Sequence, residues 1–352
     1  ARAWLRHQAH LLTRGTNERG RDWMRWANRH AVFGAAVTVI ALGASVLLMS
    51  CGQEKAPRET IPYANGIRTA IIHVPTQTDP QGPVPLVISL HGMLNTPEGS
   101  RKQTEFDALA DREGFVVAYP DARNSFWNVL TTRRDADDIL FITGLIDHMV
   151  ATHGVDPTRV YLTGTSNGAM MVHAIARAIP ERLAAIAPAF GALSRMIERA
   201  GAPGVPMPTL IIHGTADYIF RWNGGGSSGF GLPWYASVPE TVAFWTVNNG
   251  CSEVTETGML TDTDPTDGTT AGRTVYGGCA DGAEVVLYTV FGGGHNRPGS
   301  LHNPMGGYGR VCMDFNATEV MWAFFKGHSR AQTQVKGTRR RAVQCSLTGC
   351  SQ

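Results

Sequence analysis

The chain has 352 residues, of which 43% are hydrophobic and 17% charged, a composition typical of a globular protein with a sizeable core. Residues 1–50 hold seven Arg and two acidic residues, a net of +5, which leaves −3 for residues 51–352 out of the total of +2. A mildly acidic body offers no basic surface to phosphates, which argues against nucleic acid as a partner.

The first fifty residues are typical of a targeting segment. An arginine-rich stretch ending at Arg29 precedes the apolar run AVFGAAVTVIALGASVLLMS and then Cys51. The letters LMSC resemble a bacterial lipoprotein cleavage box, with an aliphatic residue three positions before the cysteine and a small one directly before it. We therefore predict a lipoprotein-type signal over residues 1–50, with lipidation of Cys51. An uncleaved anchor at residues 31–50 and ordinary secretion are the alternatives, and all three export the body.

After a tether at residues 51–60, near-continuous apolar runs predict strands, and 3.6-residue periods between them predict helices. The predicted strands are RTAIIHVP, VPLVISLHG, FVVAYPD, RVYLTG, AAIAPAFG, TLIIHGTAD and AEVVLYTVFGGGH. The helical periods include Ile139 to Met149, TVAFWTVNNG and ATEVMWAFFKGH. This alternation predicts one α/β domain over residues 61–330, with a mostly parallel central sheet covered by helices on both faces. The basic and polar tail at residues 331–352 has no readable function.

The cysteines agree with export. Apart from Cys51 there are five, and none has a spacing typical of a zinc site, so we expect disulfides and no metal. Cys251 and Cys279 form the predicted pair, because they enclose a Gly/Thr/Asp-rich segment whose closure would contribute roughly 3–4 kcal/mol. The pairing of the other three is open: Cys312, Cys345 and Cys350.

Two G-x-S-x-G patterns are candidates for a nucleophile. Ser166 follows the predicted strand RVYLTG and precedes the helical pattern AMMVHAIARAI, which is the context of a strained strand-turn-helix elbow. Ser227, in GGSSG, follows no strand and precedes no regular helix. The sequence therefore predicts Ser166 as the nucleophile.

A serine hydroxyl needs an oriented base, and in this fold class the expected chain order is Ser, acid, His. Asp217 ends TLIIHGTAD and His295 ends AEVVLYTVFGGGH, so both follow predicted strands whose carboxyl ends meet at one sheet edge. We predict a Ser166–Asp217–His295 triad that needs no cofactor. The rival histidines are His213, His302 and His328.

The oxyanion of an ester intermediate requires two preorganised N–H donors. We predict the amides of Asn167, which follows the nucleophile, and of Met93, in the loop after VISLHG; Leu94 is the alternative to Met93. The acid pair Asp137/Asp138 suggests a glycosidase, but acids that open a helix are more simply explained by the helix dipole.

These residues resemble the polyhydroxybutyrate-depolymerase and feruloyl-esterase-like group of secreted α/β-hydrolases. The matching stretches include LVISLHG, GVDPTRVYLTGTSNGAMM, PTLIIHGTADYIFRWNGG and LYTVFGGGHNRPG, and they extend in order over nearly all of residues 65–328. The resemblance implies an α/β-hydrolase fold, the same triad, cleavage of carboxylic esters, and a disulfide between Cys251 and Cys279.

The resemblance implies polyhydroxyalkanoate-type or hydroxycinnamoyl (feruloyl-type) esters as substrates, hydrolysed by an exported monomer. The alternatives are a short-chain carboxylesterase or lipase of the cell envelope, and a non-catalytic exported binding protein on the same scaffold. Trp127 and Trp222 are predicted to form an apolar wall for the acyl group; alternatively, Phe220, Trp222 and Trp234 pack their loop against the body.

Overall fold

The computed structural model describes residues 57–330 except 77–81, 131–132, 227–233, 301 and 303–307. The predicted signal segment, the lipidation site Cys51, the rival Ser227, the tail, Cys345 and Cys350 lie outside the described residues. Within them, no helix is both long and apolar enough to cross a bilayer.

A ten-stranded sheet forms the centre of the fold, in the order β1-β2-β4-β3-β5-β6-β7-β10-β9-β8. The six strands from β4 to β10 in this order pair in parallel, and the two outer strands at each edge pair antiparallel. The strands are β1 Arg58–Tyr63, β2 Gly66–His73, β3 Val84–Leu90, β4 Val116–Pro120, β5 Val155–Thr165, β6 Ala185–Ala189, β7 Thr209–Gly214, β8 Glu253–Met259, β9 Thr270–Gly277 and β10 Val285–Phe291.

Seven α-helices are described, and they pack on both faces of this sheet. They are α1 Pro97–Thr104, α2 Phe106–Glu113, α3 Asp137–Thr152, α4 Asn167–Ala178, α5 Arg195–Ala200, α6 Val238–Asn249 and α7 Ala317–Phe325. Alternate residues of β3 enter different cores: Leu86 and Ile88 pack with α3, α4 and α6, whereas Val87 packs with α2 and α7. Strands buried on both faces explain the continuous apolar runs in the sequence. The predicted α/β class is confirmed.

The predicted tether at residues 51–60 is wrong at its end, because β1 begins at Arg58. β1 and β2 form an antiparallel hairpin with Tyr63 opposite Gly66, so only Ala64 and Asn65 separate them. Gly66 adopts a φ of 134°, which other residues rarely adopt. The Asn-Gly pair in YANGIR was the available turn signal.

The segment between Cys251 and Cys279 is more regular than predicted. It holds the antiparallel strands β8 and β9, of which β9 pairs with β10 and extends the sheet. All of β8 is exposed, so its residues lack the apolar alternation that would have identified it. The predicted disulfide between the two cysteines is present in the structure, and Cys312 is free and buried.

Candidate active site

Ser166 occupies a sharp turn between β5 and α4. Its φ of 61° and ψ of −122° lie outside the regions that L-residues normally adopt, as expected for the predicted elbow. The turn requires glycine on either side: a Cβ on Gly164 would lie 2.7 Å from the backbone of Gly168, and one on Gly168 would lie 2.5 Å from the carbonyl oxygens of Leu90 and His91. The side chain of Ser166 is half-buried.

Asp217 and His295 meet at the same edge of the sheet. His295 Nδ1 lies 2.8 Å from Asp217 Oδ2, and both residues are buried. Asp217 Oδ1 also accepts the backbone N–H groups of Ile219 at 2.8 Å and Phe220 at 2.9 Å. Burial acts to raise the pKa of Asp217, but His295 and these hydrogen bonds outweigh it, so the pKa lies below its ordinary value. An ionised Asp217 keeps the proton of His295 on Nδ1 and leaves Nε2 free to accept one.

Strand β6 connects this pair to the nucleophile. The amide of Ser166 donates to the carbonyl of Ala189 at 3.0 Å, and the next residue, Phe190, has its ring 6.1 Å from that of His295. The ring of Phe220 stacks with that of His295, with 5.9 Å between the ring centroids. The structure therefore brings the ends of β5, β7 and the segment after β10 to one edge, where the sequence predicted the three residues.

His213, a rival base in the sequence, has a different position. Its Nε2 donates to the carbonyl of Phe220 at 2.7 Å and lies 3.6 Å from Asp217 Oδ2. Burial lowers the pKa of His213, so its ring is neutral, and Nδ1 has no hydrogen-bond partner among the described residues. His213 thus holds the turn that presents Asp217. In the sequence, the only indication of this role was the four-residue spacing between His213 and Asp217 in HGTAD.

The other rivals lie against carboxylates away from Asp217. His302 Nδ1 lies 3.0 Å from Glu105 Oε1, and His328 Nε2 lies 3.4 Å from Glu284 Oε1.

Asp137 and Asp138 open α3 as predicted, but Asp138 is also buried against Arg68, with 2.6 Å between Oδ1 and Nη1. Its second oxygen accepts the amide of Asn128 at 2.8 Å. These contacts give Asp138 a structural role, because its bond to the amide of Asn128 holds the segment that contains Trp127.

Of the two oxyanion candidates in the loop after β3, the structure favours Met93. The amide of Leu94 already donates to the carbonyl of Ser125 at 2.9 Å, whereas that of Met93 has no acceptor among the described residues. The loop passes beside the nucleophile, since a Cβ on Gly92 would lie 3.4 Å from Ser166 Cβ. Asn167 is the first residue of α4, where the N–H has no partner within the helix.

A buried network that the sequence did not reveal supports these two donors. The side chain of Asn167 accepts the amide of Trp127 at 2.8 Å and donates to its carbonyl at 3.2 Å. The indole Nε1 of Trp127 donates to the carbonyl of His91 at 2.9 Å. His91 Nε2 accepts the amide of Ala122, and its Nδ1 donates to the carbonyl of Gly92. Burial lowers the pKa of His91, which keeps this ring neutral.

The predicted wall differs from the structure at Trp127. This side chain is 0% exposed and packs in the core, so it braces the loop after β3 instead of facing a substrate. Trp222 is half-buried and lines a cavity of about 330 Å³ with Tyr276 and Leu287, on the face of the sheet that α6 covers. Phe220 is buried, as in the alternative in which the loop packs down, but Trp234 is 72% exposed.

Comparison with known proteins finds relatives that are named as esterases. Residues 72–200 match the family model described as "Esterase PHB depolymerase". Feruloyl esterase B of Piromyces equi is 28% identical over 237 residues, covering 65% of this chain and 42% of the relative. Poly(3-hydroxyalkanoate) depolymerase C of Paucimonas lemoignei is 27% identical over 266 residues, covering 69% and 63%. A bifunctional acetylxylan esterase/xylanase of Neocallimastix patriciarum is 33% identical over 153 residues, covering 43% and 22%.

The chain spans less than two thirds of the length of each of these relatives. Among solved structures, the acetyl xylan esterase from Aspergillus awamori superimposes with a TM-score of 0.51 at 19% identity, covering 73% of this chain and 93% of that one. At this identity the match shows a common fold. The predicted resemblance to the polyhydroxybutyrate-depolymerase and feruloyl-esterase-like group of α/β-hydrolases is confirmed.

Proposed function

We propose that this relative of the polyhydroxybutyrate-depolymerase esterases is a serine carboxylic ester hydrolase that works through an acyl-enzyme. The observation that carries the proposal is the buried hydrogen bond of 2.8 Å between Asp217 and His295, at the sheet edge where Ser166 occupies its strained turn. A buried carboxylate whose pKa is lowered, paired with a histidine at the sheet edge that also carries an elbow serine, supports a role in activating that hydroxyl.

In the first step, His295 Nε2 takes the proton of Ser166 as the hydroxyl oxygen attacks the ester carbonyl. The tetrahedral intermediate collapses as His295 returns that proton to the alkoxide oxygen, so the alcohol leaves and an acyl-serine remains. In the second step, His295 takes a proton from water as the water oxygen attacks the acyl carbonyl carbon. The second tetrahedral intermediate then releases the carboxylic acid as His295 returns that proton to the oxygen of Ser166. Asp217 stabilises the imidazolium in both steps and keeps its own negative charge.

The amides of Asn167 and Met93 are the proposed donors to the oxyanion. Their value depends on being held in place before the reaction, because donors that need no reorganisation stabilise developing charge most. The network through Trp127 and His91 supplies that rigidity. Loss of one such donor typically lowers kcat by about 10²–10³-fold.

The proposed substrates are polyhydroxyalkanoate-type or hydroxycinnamoyl esters, in line with the names of two of the relatives. A short-chain carboxylesterase or lipase of the cell envelope is the alternative with the same triad. For the location, we propose export, with attachment to a membrane through a lipidated Cys51 or through residues 31–50. We also propose a monomer, and the mildly acidic body argues against nucleic acid as a partner.

The test uses the full chain and four substrates: an aryl acetate, a feruloyl ester, a short acyl ester and a hydroxybutyrate oligomer. We expect hydrolysis that Ser166→Ala abolishes, and stoichiometric labelling of the wild type by a fluorophosphonate probe. The order of kcat/KM among the esters distinguishes the substrate classes. Labelling and turnover that persist in Ser166→Ala would overturn the triad; folded protein with no labelling and no turnover would favour the binding-protein alternative.

A further inference from the structure

A second group of side chains, with two histidines and a glutamate, lies apart from the triad at the edge of the sheet that β1 forms. His153 Nε2 lies 2.9 Å and 3.1 Å from the two carboxylate oxygens of Glu59, and His148 Nε2 lies 3.3 Å from Glu59 Oε1. One ligand atom from each residue falls within 4.8 Å of the other two. Glu59 comes from β1, His148 from the last turn of α3, and His153 directly follows that helix.

The packing of β1 on α3 fixes this convergence. Tyr63 at the other end of β1 donates its hydroxyl to Asp137 in the first turn of α3 at 2.9 Å. Gly144, two turns later, leaves room for Tyr63, whose Cβ would lie 2.7 Å from a Cβ on that glycine. The strand alternates side chains every two residues and the helix repeats every 3.6, so Glu59 and His148 meet at the far end of the same contact.

Each of the three residues offers one potential ligand atom to the cluster. His148 Nε2 is buried, and no hydrogen bond to it is formed by any described residue, although the carboxylate of Glu59 is 3.3 Å away. His153 Nε2 contacts the same carboxylate at 2.9 Å. A buried imidazole nitrogen without a hydrogen bond, next to a carboxylate and a second imidazole, is available to bind a cation.

The donor types and spacings suit zinc. Two imidazole nitrogens and one carboxylate form the His₂Glu set of zinc sites that keep a fourth, open position. Ligand bonds of about 2.1 Å at tetrahedral angles place neighbouring donor atoms roughly 3.4 Å apart. Glu59 Oε1 lies 3.1 Å from His153 Nε2 and 3.3 Å from His148 Nε2, and both separations are close to this value. Calcium and magnesium prefer all-oxygen sets, which argues against them.

The site is also accessible. The side chains of Glu59, His148 and His153 are 34%, 16% and 20% exposed. His148 also lines an open cavity of about 440 Å³ together with Leu140 and Asp147. The partial exposure of these side chains allows an ion to approach the cluster from solvent.

We propose that Glu59, His148 and His153 bind one Zn²⁺ ion, which joins the edge strand β1 to the end of α3. Because the metal binds the folded arrangement, and Glu59 is 94 residues from His153 along the chain, binding stabilises the fold. The site shares no residue with the triad, so this inference does not rest on the proposed ester hydrolysis.

The test titrates the chelator-treated full chain with Zn²⁺ against a chromogenic competitor, and measures thermal unfolding with Zn²⁺ and with EDTA. We expect binding at micromolar or lower Zn²⁺, a rise in Tm that EDTA reverses, and at least a 100-fold loss of affinity in His148→Ala/His153→Ala and in Glu59→Gln. His73→Ala is the matched control, because His73 also faces carboxylates, those of Asp107 and Asp111, and should change nothing.

Zinc can also bind to cysteine and histidine elsewhere in the chain, so Co²⁺ substitution provides an independent readout. A tetrahedral Co²⁺ spectrum without a thiolate charge-transfer band, lost in the double variant, is the expected result. The proposal is overturned by unchanged Zn²⁺ affinity in a folded double variant, by a thiolate band, or by no saturable binding below about 100 µM. If the variants fail to fold, the wild-type Co²⁺ spectrum decides.

Discussion

Replacement of Trp127 by Phe separates the two roles considered for this residue. The substitution removes the hydrogen bond of 2.9 Å from Nε1 to the carbonyl of His91, in a site that is 0% exposed. A buried carbonyl that loses its partner costs about 1–3 kcal/mol in the free energy of unfolding. Together with the lost indole volume, we expect roughly 2–3 kcal/mol. For a domain of this size that is a decrease in Tm of about 4–10 °C.

The same substitution loosens the loop that carries Met93. Because this loop serves every ester, kcat should decrease by about 10–100-fold for a feruloyl ester and for an acetate ester alike. Urea unfolding, with kcat and KM for both substrates, checks the prediction. Trp322→Phe is the matched control: its Nε1 donates to Glu113 at 2.9 Å on the opposite face, so stability should decrease and kcat should not. An increase in KM for the feruloyl ester alone, with unchanged stability, would refute the supporting role of Trp127 and favour its predicted role in contacting the acyl group.

Two further predictions concern other buried groups. Asp217→Asn should keep the fold but lower kcat by about 10⁴-fold, because the amide favours the wrong tautomer of His295; a loss below tenfold, measured alongside Tm, would contradict this role. Burial lowers the pKa of His173 from 6.5 to about 3, and its Nδ1 accepts Trp245 Nε1 at 3.0 Å. Since only the unfolded state takes up this proton between those values, the stability is complete above about pH 6.5 and is lost as the pH falls. By pH 5 the loss amounts to about 2 kcal/mol, and His173→Asn should remove that part of the pH dependence in urea titrations at pH 7 and pH 5. Parallel pH profiles of wild type and variant would show that His173 does not titrate in this way.

Much of the central sheet could be predicted from the sequence. Strands β3 to β7 and β10 are largely buried, and burial on both faces requires a continuous run of apolar residues, which a surface loop does not. Ser166, Asp217 and His295 were identified for a related reason, because parallel strands deliver the residues that follow them to one edge. The exposed strands β1 and β8 lack that constraint, and they were taken for a tether and a loop.

The local sequence therefore determined the α/β class, most of the buried strands, the elbow glycines, the cysteine pair and the three candidate catalytic residues. Only the tertiary structure showed that Trp127 supports the loop after β3 and that His213 holds the turn of Asp217. It also showed that the amide of Leu94 donates to the carbonyl of Ser125, and that Glu59 lies close to His148 and His153. The physical reason is distance along the chain. The pattern of residues within a short stretch of sequence indicates which face of a strand or helix is buried. These roles depend instead on contacts between segments that are tens of residues apart.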